Sequence, residues 1–313
     1  MPTVPLTPAG PFSLASSVHF LKRFTPASYN HAPDEILRLA FPADDTTSVV
    51  AATVRQESEA GADGGAGTVR AEFTVRPSAP AGERATTAEP TDQALGAQIA
   101  RILSLDVDGT GFPDLGADAV MAGLMAQYPG LRPVCFHSPY EAAAWAIIGN
   151  RIRMSQAAAV KARIAREYGH HAHVAGRTLH AFPTPAGLLA LTHMPGLTAL
   201  KIERLHALAE AALDGQLDAA RLRDLPADYA LAELRDLPGI GPFSAELILI
   251  RGAGHPDVFP RHEPRVHQAV AAAYGLPAAA AADFAHLSKI ADRWKPYRSW
   301  AAFLLRVRLQ DTP

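Results

Sequence analysis

The stretch Leu237-Pro238-Gly239-Ile240-Gly241-Pro242-Phe243-Ser244-Ala245-Glu246 leaves the chain little freedom. It joins two apolar, helix-forming runs by a few residues, two of them glycine, so the chain must reverse within a tight helix-to-helix turn. Gly239 and Gly241 are both expected to allow positive φ. Ser244 is expected as the N-cap or a first-turn residue of the helix that follows. A turn of this kind presents outward-pointing backbone N–H groups at the positive end of a helix dipole, which suits a phosphate. Some twenty residues later Val258-Phe259-Pro260-Arg261-His262-Glu263-Pro264 places a carboxylate on a second turn that opens another helix. By residue type alone Glu263 is either a helix cap worth ~0.3–1 kcal/mol or a carboxylate facing a phosphate-bearing substrate.

The composition narrows the partners. The net charge of −2 excludes a polycation, so contact with nucleic acid has to come from a local patch and from backbone dipoles. The single cysteine, Cys135, excludes an internal disulfide, a cysteine-rich zinc site and an iron–sulfur cluster. The thirteen histidines cluster only at His170-His171-Ala172-His173, expected as a solvated loop after a helix. No charged-then-apolar leader and no ~18-residue apolar span is visible, so a cytoplasmic protein without membrane contact is expected. There is no nucleotide-binding glycine loop and no nucleophile elbow.

Along the chain, residues 1–10 are proline-rich and expected to be loose. A helix over Phe12–Phe24, strands over Ile36–Phe41, Thr47–Gln56 and Thr68–Arg76, and a helix over Asp92–Leu103 make a small α+β unit. Its connections, Glu57–Gly67 and Ala79–Thr91, read as loops. Past Val107 strand patterns disappear and helical periodicity dominates. Ser138 caps a helix with Pro139 in its first turn and Ala144, Ile147 and Ile148 on its core face. Helices follow over Met154–Tyr168 and Ala199–Leu213, the latter opened by a second turn, Pro195-Gly196-Leu197, about 43 residues before the first. The expected fold class is therefore α+β, with a domain over 1–106 and an all-α body over 107–313. The basic residues Arg151, Arg153, Lys161, Arg163 and Arg166 are either phosphate contacts or a solvated helix face.

Leu237–Gln268 resembles the helix-hairpin-helix DNA glycosylase superfamily, whose signature is such a hairpin followed by an acidic residue at a later helix start. Further stretches match the alkylation-repair branch in order: Pro11-Phe12, Pro139-Tyr140-Glu141-Ala142, Ala146–Asn150, Phe182-Pro183-Thr184-Pro185, Gly252, Asp257–Pro260 and Trp294–Ala301. The resemblance implies a small N-terminal antiparallel sheet like that of the TATA-binding protein, followed by a helix-hairpin-helix glycosylase body. It implies a monomer that acts on double-stranded DNA containing damaged bases, flips an alkylated, 3-methyladenine-like purine out of the stack and hydrolyses its N-glycosidic bond. The alternative is a non-catalytic paralogue that binds distorted duplex.

Residue by residue, the family's catalytic aspartate falls on Glu263 and its acidic neighbour on His262. The base pocket falls on Phe243, Leu247 and Arg306, where the family has an indole, a tyrosine and a tryptophan. Asn150 and Arg151 take the positions that probe the duplex, and Gly239, Gly241 and Ser244 those that hold phosphate. The carbonyls of Arg235, Leu237 and Ile240 correspond to a site for a sodium or potassium ion; no other cofactor is implied. No lysine stands where the superfamily's lyases carry one, so water is the expected nucleophile.

Overall fold

A computed structural model describes residues 2–25, 34–57, 67–78 and 90–311. The N-terminal part contains β1 (Thr3–Leu6), α1 (Leu14–Leu21), β2 (Leu37–Pro42), β3 (Ser48–Glu57), β4 (Thr68–Pro77) and α2 (Asp92–Ile102). Its strands form one antiparallel sheet in the order β1-β4-β3-β2. Residues 3–6 are thus not loose: β1 pairs with β4, Thr3 opposite Glu72 and Leu6 opposite Val69. Pro5 is tolerated because β1 lies at the sheet edge, where a missing N–H breaks no ladder. The expected loops 57–67 and 79–91 fall mostly outside the described residues.

The rest is mainly helical: α3 (Ala119–Gln127), α4 (Pro139–Gly149), α5 (Met154–Tyr168), β5 (His171–Val174), β6 (Arg177–His180), α6 (Pro185–Leu189), α7 (Ala199–Leu213), α8 (Ala219–Asp224), α9 (Ala227–Asp236), α10 (Pro242–Leu247), α11 (Pro264–Ala273), α12 (Phe284–Ala291) and α13 (Arg298–Asp311). The cap expected for α4 is present: Ser138 Oγ accepts the Glu141 N–H at 3.1 Å, and Ala144, Ile147 and Ile148 are buried. Two strands, β5 and β6, appear where none was expected. Ala172 and Val174 of β5 pack on Ala51, and Leu179 of β6 on Ala40 and Val49. This hairpin covers the outer face of the larger sheet. That is why β2 is buried at every residue instead of alternating. The same pairing lifts the histidines out of a loop and turns His171 and His173 to solvent.

The buried apolar residues fall into two large clusters. One joins the sheet, α1 and α2 to α3 and the C-terminal helices α11 to α13. The other joins α4 through α10. Phe24, just beyond α1, packs against both.

Candidate active site at the seam of the two cores

The turn between α9 and α10 is built from its own residues. Leu237 and Ile240 are buried, and the Ile240 N–H donates to the Leu237 carbonyl at 3.1 Å. Gly239 has φ +89, and a Cβ there would lie 2.6 Å from Arg204 Cδ. Gly241 differs from expectation: at φ −94 and ψ 180 it is extended and needs no glycine for its backbone. Its lack of a side chain matters differently. Gly241 is the N-cap of α10 and offers no capping oxygen, while Ser244 takes the other expected place, in the first turn. Pro242 follows without an N–H, so Phe243 and Ser244 present the first N–H donors of the helix, uncapped by any side chain. Beyond Leu247 the helix widens into a π-helical segment, Ile248–Gly252, and Leu247, Ile250 and Arg251 all face the same cavity.

Glu263 sits at the N-cap of α11 but does not cap it. Its carbonyl accepts the Val266 and His267 N–H groups at 3.0 and 3.3 Å, while its side chain makes no capping bond. The carboxylate lines a cavity with Phe243, Leu247, Arg251, Phe303 and Arg306. This opens into a cleft of about 750 Å³ along the seam of the two cores, also lined by Phe20, Phe24 and Trp145. That volume lies in the range of small-molecule sites. Phe243 is 45% exposed although it belongs to the wall of an apolar cavity. Burial lowers the Arg306 guanidinium pKa, the attraction of Glu263 works against that shift, and Arg265 adds to it. The charges of Glu263 and Arg306 therefore act on each other across the cavity.

Two features of the site are not visible in sequence patterns. Arg251 spreads its guanidinium over the rings of Phe24, Phe303 and Phe20, with centroid distances of 4.9, 5.0 and 5.5 Å, and donates Nε–H to the Val134 carbonyl at 3.1 Å. Desolvation pulls its pKa down to about 10. Glu246, buried at 5% exposure, accepts the backbone N–H groups of Arg261 and His262 at 3.0 and 2.8 Å and meets His262 Nδ1 at 2.7 Å. Its position two residues after the hairpin serine was the only sequence hint of this role.

Asn150 and Arg151 lie at the end of α4, at the mouth of the cleft. Asn150 lines it; Arg151 does not, and is exposed with φ +58. Lys201 Nζ donates to the Ile148 and Asn150 carbonyls at 2.7 and 2.9 Å, satisfying the frayed end of α4 with a cation. The basic run does not form one face. Lys161 is turned inward onto the buried Glu141 at 2.5 Å, and Arg163 pairs with Glu167 at 3.0 Å. Among the described residues no group of three or more His, Cys, Asp or Glu side chains could hold a metal ion, and no helix is long and apolar enough to cross a membrane.

No family model matches the chain. It resembles solved DNA glycosylases over almost its whole length. A 3-methyladenine DNA-glycosylase from Archaeoglobus fulgidus superimposes with TM-score 0.71 over 99% of this chain and 98% of that one, at 21% identity. An 8-oxoguanine glycosylase/lyase from Clostridium acetobutylicum in complex with double-stranded DNA gives TM-score 0.58 over 85% and 86%, at 16% identity. In sequence the chain is 31% identical over 189 residues to DNA-3-methyladenine glycosylase 2 of Escherichia coli K12, covering 59% of this chain and 62% of that protein. It is also 31% identical over 218 residues to a probable bifunctional transcriptional activator/DNA repair enzyme, AlkA, of Mycobacterium tuberculosis, covering 68% of this chain. The match spans only 42% of that mycobacterial relative's length.

Fold and relatives together show a likeness to the DNA glycosylases. Within the class, the chain resembles DNA-3-methyladenine glycosylase 2.

Proposed function

We propose that the chain is a monofunctional DNA glycosylase of base excision repair. It would act as a monomer on damaged duplex in the bacterial nucleoid and release N-alkylated purines of the 3-methyladenine kind. The supporting observation is that Glu263, although at a helix start, leaves the cap unmade and shares a cavity with Phe243, Leu247 and Arg306.

In this mechanism the backbone N–H groups around Gly239, Gly241 and Ser244 hold a DNA phosphate. The carbonyls of Arg235, Leu237 and Ile240 would hold a sodium or potassium ion beside it. Neutral oxygen donors suit such an ion, and the Leu237 carbonyl, bonded once to the Ile240 N–H, retains a lone pair. Asn150 and Arg151 meet the duplex where the nucleotide leaves the stack. The flipped base enters the cleft and stacks on Phe243, with Leu247 and Arg306 limiting its shape and charge. N-alkylation makes the purine cationic, so the C1′–N bond breaks with its electron pair passing to the base, which departs neutral. Glu263 stabilises the positive sugar, and water adds to C1′ and yields its proton to the carboxylate. Arg306 works against a cationic base by like charge, so the accepted bases should be fewer than in an all-aromatic pocket.

Single-turnover base release from methylated duplex tests this function. Glu263→Gln should slow release by about 10²-fold or more, with affinity for a duplex carrying an abasic-site analogue retained. Unchanged release would remove Glu263 from the chemistry. Retained binding with no release by the wild type on any damaged duplex would make the chain a DNA-binding paralogue instead.

A further inference from the structure

Glu263 has no capping bond to fix it, so something else must hold the turn that carries it. Helix α11 begins only at Pro264, and the preceding residues 260–263 form no helix or strand. The backbone N–H groups of Arg261 and His262 both end on the Glu246 carboxylate, one on each oxygen, at 3.0 and 2.8 Å. His262 Nδ1 meets the same carboxylate at 2.7 Å, from a side chain that is 44% exposed. Glu246 itself is buried and fixed on the first helix after the hairpin. A buried carboxylate is costly to leave unpaired, and here it is satisfied by three donors from two consecutive residues. These are the two residues immediately before Glu263.

We propose that Glu246 and His262 form a latch that positions Glu263 in the cleft. Both carboxylates line the cavity, but Glu246 is a positioning residue, not the carboxylate that acts on the sugar: three donors already occupy it, whereas the Glu263 side chain makes no capping bond. The latch links α10, which presents the phosphate-holding N–H groups, to the turn that presents the carboxylate. One side chain thus sets the distance between the backbone clamp and the reacting sugar. The longer reach of a glutamate makes that distance critical, because its additional χ angle must be restrained from outside.

The catalytic part of this proposal rests on the glycosylase function above; the structural part does not. The test combines two measurements on Glu246→Ala, Glu246→Gln and His262→Ala. The first is amide hydrogen exchange over residues 259–265. Exchange at Arg261 and His262 should rise strongly in Glu246→Ala and less in Glu246→Gln, which keeps one acceptor oxygen. The second is single-turnover release from methylated duplex, with affinity for an abasic-analogue duplex measured in parallel. Release should fall about 10²-fold in Glu246→Ala, as expected for displacement of a catalytic group by about 1 Å. Glu246→Gln should recover part of the rate, His262→Ala should lose less, and duplex affinity should stay within about threefold in all three.

Unchanged exchange in Glu246→Ala overturns the latch. Raised exchange with an unchanged release rate overturns its role in positioning Glu263. If Glu246→Ala misfolds, Glu246→Gln carries the same test, because it keeps the side-chain volume and one acceptor oxygen while removing the other. Should the wild type release no base at all, the glycosylase function fails, while the exchange measurement still decides whether the latch exists.

Discussion

The chain makes nearly the same turn twice, and the two copies end differently. Met194–Thr198 and Leu237–Gly241 each place a glycine at positive φ, +83 at Gly196 and +89 at Gly239. Each closes with one backbone bond, Leu197 N–H to Met194 O at 3.2 Å and Ile240 N–H to Leu237 O at 3.1 Å. After the first turn Thr198 caps α7, its hydroxyl accepting the Lys201 N–H at 3.4 Å. After the second, Gly241 caps nothing and Pro242 withholds its own N–H. The same backbone path therefore gives a self-satisfied helix start in one place and an open set of donors in the other. On the proposed function, cap chemistry, rather than the glycine hairpin, is what would let the second turn and not the first receive an anion.

Four substitutions separate the two turns. Gly239→Val should have the largest effect. A β-branched side chain at that φ is strained by about 1–3 kcal/mol, and its Cβ would lie 2.6 Å from Arg204 Cδ. Affinity for an abasic-analogue duplex, followed by fluorescence anisotropy, should drop at least about tenfold. Gly196→Ala introduces the same backbone penalty, about 1–2 kcal/mol, with Val160 Cγ2 only 3.0 Å from the new Cβ. It should lower the melting temperature and leave duplex affinity alone; an equal affinity loss would mean that both turns hold DNA. Gly241→Ser gives the second turn the solution used by the first. The site has room, with no atom within 4 Å of a Cβ. The hydroxyl would accept the Ser244 N–H, raising stability by a few tenths of a kcal/mol and weakening duplex binding by roughly fivefold through the loss of one donor. Thr198→Gly should do least, destabilising α7 by a few tenths of a kcal/mol, visible in thermal melts alone.

What could be read from the sequence follows the range of the interactions. The hairpin, the Ser138 cap and the long helices depend on neighbours three or four residues away, and their residues announce them. The edge strand β1 was hidden by Pro5, because proline argues against a strand until the edge position is known. The hairpin β5–β6 was hidden by its brevity and by its turn, where Ala175 at φ +42 stands beside Gly176 at +77. The site divides along the same line. Glu263 stood out by its turn after the hairpin, Phe243, Leu247 and Arg306 came from resemblance to a family, and the structure brings all four to one cavity. Glu246 could not be found that way, because its partners are 15 and 16 residues off and its role exists only once α10 and the 261–263 turn are side by side. Arg251 was missed for the same reason: the rings that receive it come from opposite ends of the chain.

That arginine also sets what a pH titration of this cleft can report. Although desolvated to a pKa of about 10, Arg251 stays cationic through the whole range in which carboxylates and imidazoles change state. Its three rings hold the charge in place, so its own contribution to the potential at the cleft wall is constant from mildly acidic to mildly alkaline solution. Any rise or fall of rate across that interval then belongs to groups that titrate within it or to the DNA, measured against a fixed electrostatic background.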